Sequence, residues 1–189
     1  MPSSKINFKN SKFVLSEFSN FKVSNITEIE NNLILILGNT IANEINIQSY
    51  LTKLRTTIKG RTYLLIGIEL INTGFKKEIK SIINEYNCDE NKKLTISPIN
   101  WLGINFKCGK IKIIFNNKLS RIEEMYVFDK STTININNKK MWFNKGDYLL
   151  LSITNKPNLF SFSEIIKKSG WTIVKKRNID NQHMFLLKK

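Results

Sequence analysis

Two amide side chains follow a short apolar run. Their chemistry and their spacing suit them to bind a ligand. The run covers residues 33–37, Gly38 ends it, and Asn39 and Asn43 come next. An amide offers both donors and an acceptor, so it could contact a ligand. Glycine lets the backbone turn tightly or come close to a ligand. The alternative is an ordinary turn in which asparagine only serves the turn geometry.

The elements around this loop predict a parallel strand–helix–strand unit. Five consecutive apolar residues at 33–37 indicate a strand buried on both faces. Residues 46–59 repeat apolar side chains at helical spacing, with Asn46 as a candidate N-cap. Residues 63–70 predict a second buried strand. The loop would then lie at the carboxyl end of a strand, where open α/β sheets bind ligands.

The rest of the chain first breaks and then resumes this alternation. A helix is expected over 75–86, and residues 88–146 predict short antiparallel strands at 111–115, 121–128 and 134–136. From residue 147 the pattern predicts, in order, a strand at 148–153, a helix opened by a capping box at 161–164, and strands at 171–174 and 184–187. We therefore expect an α/β core of residues 1–87 and 147–189, interrupted by an antiparallel insertion at 88–146.

Composition excludes several classes of protein. A chain of 189 residues with 41% hydrophobic residues can bury one core. No apolar run approaches the ~18 residues of a membrane helix, and residues 1–5 lack an apolar signal core, so we expect a cytoplasmic protein. Cys88, Cys108 and His183 have no metal-ligand spacing and form no disulfide framework. We therefore predict no metal site.

The net charge of +15 permits a nucleic-acid-binding interpretation. Trp142, Phe143 and Phe160 lie beside lysines and could stack on bases. However, the lysines are spread along the whole chain, and Asn and Ile are abundant too. A genome rich in A and T, or a need for solubility, would explain the same charge.

The loop at residues 37–43, Leu-Gly-Asn-Thr-Ile-Ala-Asn, resembles the LG-[SG]-T-I-G-N loop of the histidine-specific, S-adenosylmethionine-dependent methyltransferases of the ergothioneine-pathway type. Ala42 stands where that family has its last glycine. The resemblance runs in order from about residue 12 to residue 189 and covers the carboxyl-terminal half of the enzyme. It implies a partial class I methyltransferase sheet, which is Rossmann-like, with an antiparallel β insertion that covers the substrate.

The resemblance also implies a cofactor, S-adenosylmethionine. Gly38 would line its pocket, and Glu17 with Phe18 resembles the Asp-Phe pair that contacts the adenine in that family. Glu17 could equally be an ordinary surface acid. The family's Gly-rich loop and its ribose-binding acid have no counterpart here, so we expect the chain alone to bind the cofactor weakly or not at all.

Four residues inherit substrate contacts from the resemblance, and none inherits a catalytic role. Asn43 would hold the amine or carboxylate of the substrate, and Tyr86 would contact it, although periodicity alone makes Tyr86 a core aromatic. Ser152 and Thr154 stand where the family's T-E-N-S-x-K strand has Glu and Ser to bind imidazole. Without that acid, histidine is doubtful as the substrate.

A sheet that begins at its third strand would leave an edge uncovered, so we expect a second protein chain there. It could be a complementary amino-terminal half or a second copy of this chain. Two principal function classes follow: a methyltransferase half or subunit acting on a small, amino-acid-like amine, and a non-catalytic relative that binds or scaffolds. The basic nucleic-acid-binding module remains the third.

Overall fold

The structure is a computed structural model that describes residues 31–71, 76–136 and 139–189. In chain order its elements are β1 (Asn31–Ile36), a 3-10 turn (Thr40–Asn43), α1 (Ile47–Thr57), β2 (Arg61–Glu69), α2 (Lys76–Tyr86), α3 (Asp89–Trp101), a second 3-10 turn (Phe106–Cys108), β3 (Gly109–Asn116), β4 (Arg121–Phe128), β5 (Thr132–Ile136), β6 (Lys139–Phe143), β7 (Tyr148–Asn155), α4 (Leu159–Lys168), β8 (Thr172–Ile179) and β9 (Gln182–Lys188).

The first sheet has the strand order β1-β2-β9-β8. β1 and β2 are parallel neighbours, with Leu33 opposite Tyr63, which confirms the predicted strand–helix–strand unit. β9 runs antiparallel to both β2 and β8. The predicted closing pair of strands is therefore present, and each strand is longer than the sequence pattern indicated.

Helices α1 and α4 cover one face of this sheet and form the main core with it. The predicted stripe of α1 is buried, with Leu51 fully inaccessible, and the Asn46 side chain caps the helix by accepting from the Ser49 amide at 2.9 Å. The capping box predicted at 161–164 is wrong. Helix α4 begins earlier, because the Asn158 side chain accepts from the Ser161 amide at 2.8 Å and caps the helix there.

The prediction that the strand at residues 33–37 is buried on both faces is also wrong. Ile36 is buried, but Leu33 is 63% and Leu35 55% exposed. Alternate side chains of a strand point to opposite faces, and α1 and α4 pack against the face that carries Ile36. Leu65 and Leu186 continue the same row across the sheet and are only half-buried.

The second sheet has the order β3-β4-β7, and all its pairings are antiparallel. The sequence pattern predicts β7 as part of the resumed core, but β7 pairs with β4, which lies in the stretch expected to be the insertion. Long-range pairing of this kind has no local sequence signal, whereas the extent of β4 was predicted correctly. The division of domains at residues 88–146 stays a prediction.

The stretch after residue 88 also contains α3, a helix that the sequence analysis did not predict. Pro98 near its end and a weakly amphipathic pattern conceal it. β5 and β6 form a separate hairpin, and Ile134 from it joins the second core around Tyr126 and Phe128. Within the described ranges, no helix is long and apolar enough to cross a membrane.

Candidate functional site

A left-handed turn follows β1 and is fixed to the end of β2. Gly38 has φ 68° and Asn39 has φ 63°, which reverses the chain at once. The Asn39 Oδ1 accepts a hydrogen bond from the Glu69 amide at 3.0 Å. Asparagine tolerates this conformation better than other residues with a Cβ. Asn39 therefore joins the carboxyl ends of two neighbouring parallel strands.

The 3-10 turn that follows presents Asn43 and is fixed by β7. The Asn155 side-chain amide donates to the carbonyl oxygens of Ala42 and Glu44, each at 2.7 Å. These two bonds bracket the backbone of Asn43, whose side chain remains exposed. The loop is thus held from the first sheet by Asn39 and from the second sheet by Asn155.

Three of the four predicted substrate residues come together here. The Thr154 hydroxyl is buried and donates to the Asn43 Oδ1 at 3.4 Å, so the two side chains meet across the gap between the sheets. Ser152 lies two residues earlier on β7 and lines a cleft of about 420 Å³ together with Asn43. Among the described residues, the Asn43 Nδ2 has no protein partner, so its hydrogens remain available to a ligand.

Tyr86, the fourth, approaches the same strand through a residue that the sequence analysis missed. Lys156 follows Thr154 by two positions and so points to the same side of the chain. Its Nζ forms an ion pair with the Glu69 carboxylate and lies 5.6 Å from the centroid of the Tyr86 ring. The regular spacing of Ser152, Thr154 and Lys156 was the signal that could have identified it.

A buried acid on β4 lies beside Ser152, one of the predicted substrate residues. Glu124 lies directly opposite Ser152 in the β4–β7 register and is 4% exposed. Its carboxylate accepts from the Asn91 amide at 3.2 Å and from the Thr95 hydroxyl. Within the described residues, none of the ion pairs involves Glu124. Ser152 on β7 therefore has an acidic neighbour on β4, and the sequence alone could not indicate which residue that is.

Of the three predicted cofactor-binding residues, the structure describes Gly38 only. Beside Gly38 a Cβ would meet nothing within 4 Å, so the positive φ rather than crowding favours glycine. The open space lets a ligand approach the backbone there. Glu17 and Phe18 lie outside the described residues.

The described groups with altered pKa values include Tyr50, Tyr126 and His183. Burial raises the pKa of Tyr50, and the nearby Glu44 carboxylate adds to the rise. Burial also raises the pKa of Tyr126, with smaller contributions from its acidic neighbours. Burial first, and then the positive charge of Lys176, lowers the pKa of His183.

The aromatic residues considered for base stacking differ in their accessibility. Phe143 stacks on Phe128, with ring centroids 4.6 Å apart, and so packs against the second core. Trp142 is 65% and Phe160 76% exposed. Only these two of the three therefore remain accessible to a nucleic acid.

A family model described as histidine-specific methyltransferase, SAM-dependent, matches residues 9–188. No curated protein matches the chain. Among solved structures, a S-adenosylmethionine-dependent methyltransferase from Clostridium acetobutylicum ATCC 824 is similar with a TM-score of 0.38 and 9% identity, over 93% of this chain and 63% of that one. The PH0226 protein from Pyrococcus horikoshii OT3 has a TM-score of 0.42 and 7% identity, over 94% of this chain and 62% of that one. The chain therefore spans under two thirds of either structure.

Proposed function

The chain belongs to the family of histidine-specific, SAM-dependent methyltransferases, and we propose that it takes part in methyl transfer from S-adenosylmethionine to a small, amino-acid-like amine. Methyl transfer from a sulfonium needs little acid–base chemistry. It requires mainly that the nucleophile, the methyl carbon and the sulfur be held in line in a dry site. The protein's contribution would be to orient the substrate.

One observation carries this proposal: the contact between Thr154 and Asn43. The Thr154 hydroxyl donates to the Asn43 Oδ1 and so orients the amide, whose two hydrogens would then serve as donors to a ligand. Such donors suit the carboxylate of an amino acid, and hydrogen bonds to a charged group are the stronger kind.

We also propose that this activity requires a second chain at the edge of β1. Leu33 and Leu35 are exposed, and the half-buried Leu65 extends the apolar row across the sheet. An exposed strand edge with apolar side chains is a template for pairing. A complementary half would complete the cofactor pocket beside Gly38, whereas a second copy would give a symmetric dimer without a complete pocket.

The partner proposal is tested by sedimentation and copurification from cells. We expect an assembly larger than the single chain, which Leu35→Lys disrupts. Leu94→Lys is the matched control, because Leu94 is 74% exposed on α3, away from this sheet. A stable single chain with no partner, or equal effects of the two substitutions, would contradict the proposal.

The transfer proposal is tested with the assembled complex, labelled S-adenosylmethionine and a panel of amino acids and small amines. Asn43→Ala should lower transfer by about tenfold or more, as expected for losing a hydrogen bond to a charged group. Asn117→Ala, an exposed turn substitution, should leave transfer unchanged. An assembled complex that transfers equally well with Asn43→Ala would instead favour the non-catalytic alternative.

A further inference from the structure

Lys156 is a buried cation whose place in the site is set by three contacts from different elements. We propose that Lys156 is a positioning residue, which holds the Tyr86 ring next to the carboxyl end of β7. The substrate role of Tyr86 rests on the proposed function. The positioning of its ring does not, and it can be tested without cofactor or substrate.

The first step is that the ammonium group has a fixed position. Lys156 is only 1% exposed, and lysine is rarely buried so completely unless it is paired. Its partner is the Glu69 carboxylate at the end of β2, whose side chain is 23% exposed. Removing either partner from such a pair leaves a poorly compensated charge, so the pair restrains both side chains. The Glu69 backbone is in turn held by Asn39.

The second step is that the ring of Tyr86 depends on this cation. The Nζ lies 5.6 Å from the ring centroid, within the range of ~6 Å over which a cation attracts an aromatic face. The ring also packs against an apolar cluster that includes Ile82 and Ile122. Apolar packing is not directional, whereas the cation defines where the ring face lies. Tyr86 is only half-buried, so packing alone leaves it freer to move.

The third step is that the backbone at residue 156 is anchored independently of its side chain. The Lys156 amide donates to the Ser120 carbonyl at 2.8 Å, and its own carbonyl accepts from the Ser120 hydroxyl at 2.7 Å. A change of side chain should therefore leave the end of β7 in place. Thr154 and its contact with Asn43 should persist while Tyr86 is released.

The experiment is nuclear magnetic resonance of the full chain with ¹³C-labelled tyrosine rings. The chain has five tyrosines, and Tyr86→Phe identifies the Tyr86 signals by their loss. In Lys156→Met, which removes the charge, we expect the Tyr86 signals to shift and the ring to flip about two- to fivefold faster, as the loss of a cation–π contact predicts. Lys156→Arg keeps a cation and should restore the original flip rate to a large extent.

The signals of the other four tyrosines are the control for a general loosening of the fold. The changes at Tyr86 are compared first with those at Tyr63, which lies on β2. If Lys156→Met does not fold, Lys156→Gln replaces it, because that change also removes the positive charge but keeps an amide that can donate to the Glu69 carboxylate. The same selective shift of Tyr86 is then expected. Unchanged Tyr86 signals in the folded variant, equal shifts in all tyrosines, or an Arg variant that behaves like the Met variant would overturn the proposal.

Discussion

Asn39 offers a test of how the candidate loop is built, because its side chain and its backbone contribute separately. It has φ 63°, and its Oδ1 accepts from the Glu69 amide at 3.0 Å. Loss of a typical hydrogen bond costs about 1 kcal/mol. Placing a residue with an ordinary Cβ in the left-handed region costs a further ~1–2 kcal/mol. The two costs can be separated by three substitutions at this one position.

Asn39→Ala incurs both costs, so we expect a loss of about 2–3 kcal/mol in the free energy of unfolding. Asn39→Gly loses the hydrogen bond but has no strain, and its greater freedom in the unfolded chain adds ~0.5–1 kcal/mol, which gives a total of about 1.5–2 kcal/mol. Asn39→Asp keeps an acceptor and tolerates the turn, so we expect a change of about 0.5 kcal/mol or less. We therefore expect Asn39→Asp to destabilise the fold least and Asn39→Ala most, with Asn39→Gly between them.

Urea unfolding measures the three free energies, and hydrogen exchange of the Glu69 amide reports the bond itself. We expect that amide to lose protection in the Ala and Gly variants and to keep it in the Asp variant. A Gly variant that is less stable than the Ala variant would refute the strain argument. Equal protection of the Glu69 amide in all variants would refute the role of the Asn39 side chain.

Three further outcomes are expected from other parts of the fold. Trp171→Phe should lower the free energy of unfolding by about 1–3 kcal/mol in a urea titration, because the buried indole donates to the Leu51 carbonyl at 3.0 Å and no partner would replace it. The lowered pKa of His183 means that the unfolded chain takes up its proton first, so stability should fall as the pH drops from the ordinary value of 6.5 toward the folded value. His183→Gln should remove that part of the pH dependence of the melting temperature, and an unchanged pH profile would contradict the assignment. Gly109→Ala should destabilise by about 1–3 kcal/mol or more in thermal unfolding, because its Cβ would overlap a carbonyl oxygen of β4, and wild-type stability in that variant would show that the strands can separate there.

The sequence determined those features that depend on local periodicity and local hydrogen bonding. The apolar repeat of α1 predicted the buried positions of Leu51 and Leu54, and Asn46 marked where that helix begins. The short connections between β1, α1 and β2 required parallel neighbours, because a crossover helix returns the chain in the same direction. The order of short motifs indicated the family, which the match over residues 9–188 confirms.

Tertiary structure decided the features that depend on which strands meet. The sequence marks β7 as a strand, but its pairing with β4 joins residues that are 21 to 34 positions apart, and no local pattern encodes that pairing. That pairing puts Glu124 beside Ser152, and Lys156, directly after the end of β7, reaches Glu69 on the first sheet. The exposure of Leu33 likewise depends on which elements cover each face, since a run of apolar residues is the same in sequence whether one face or both are covered.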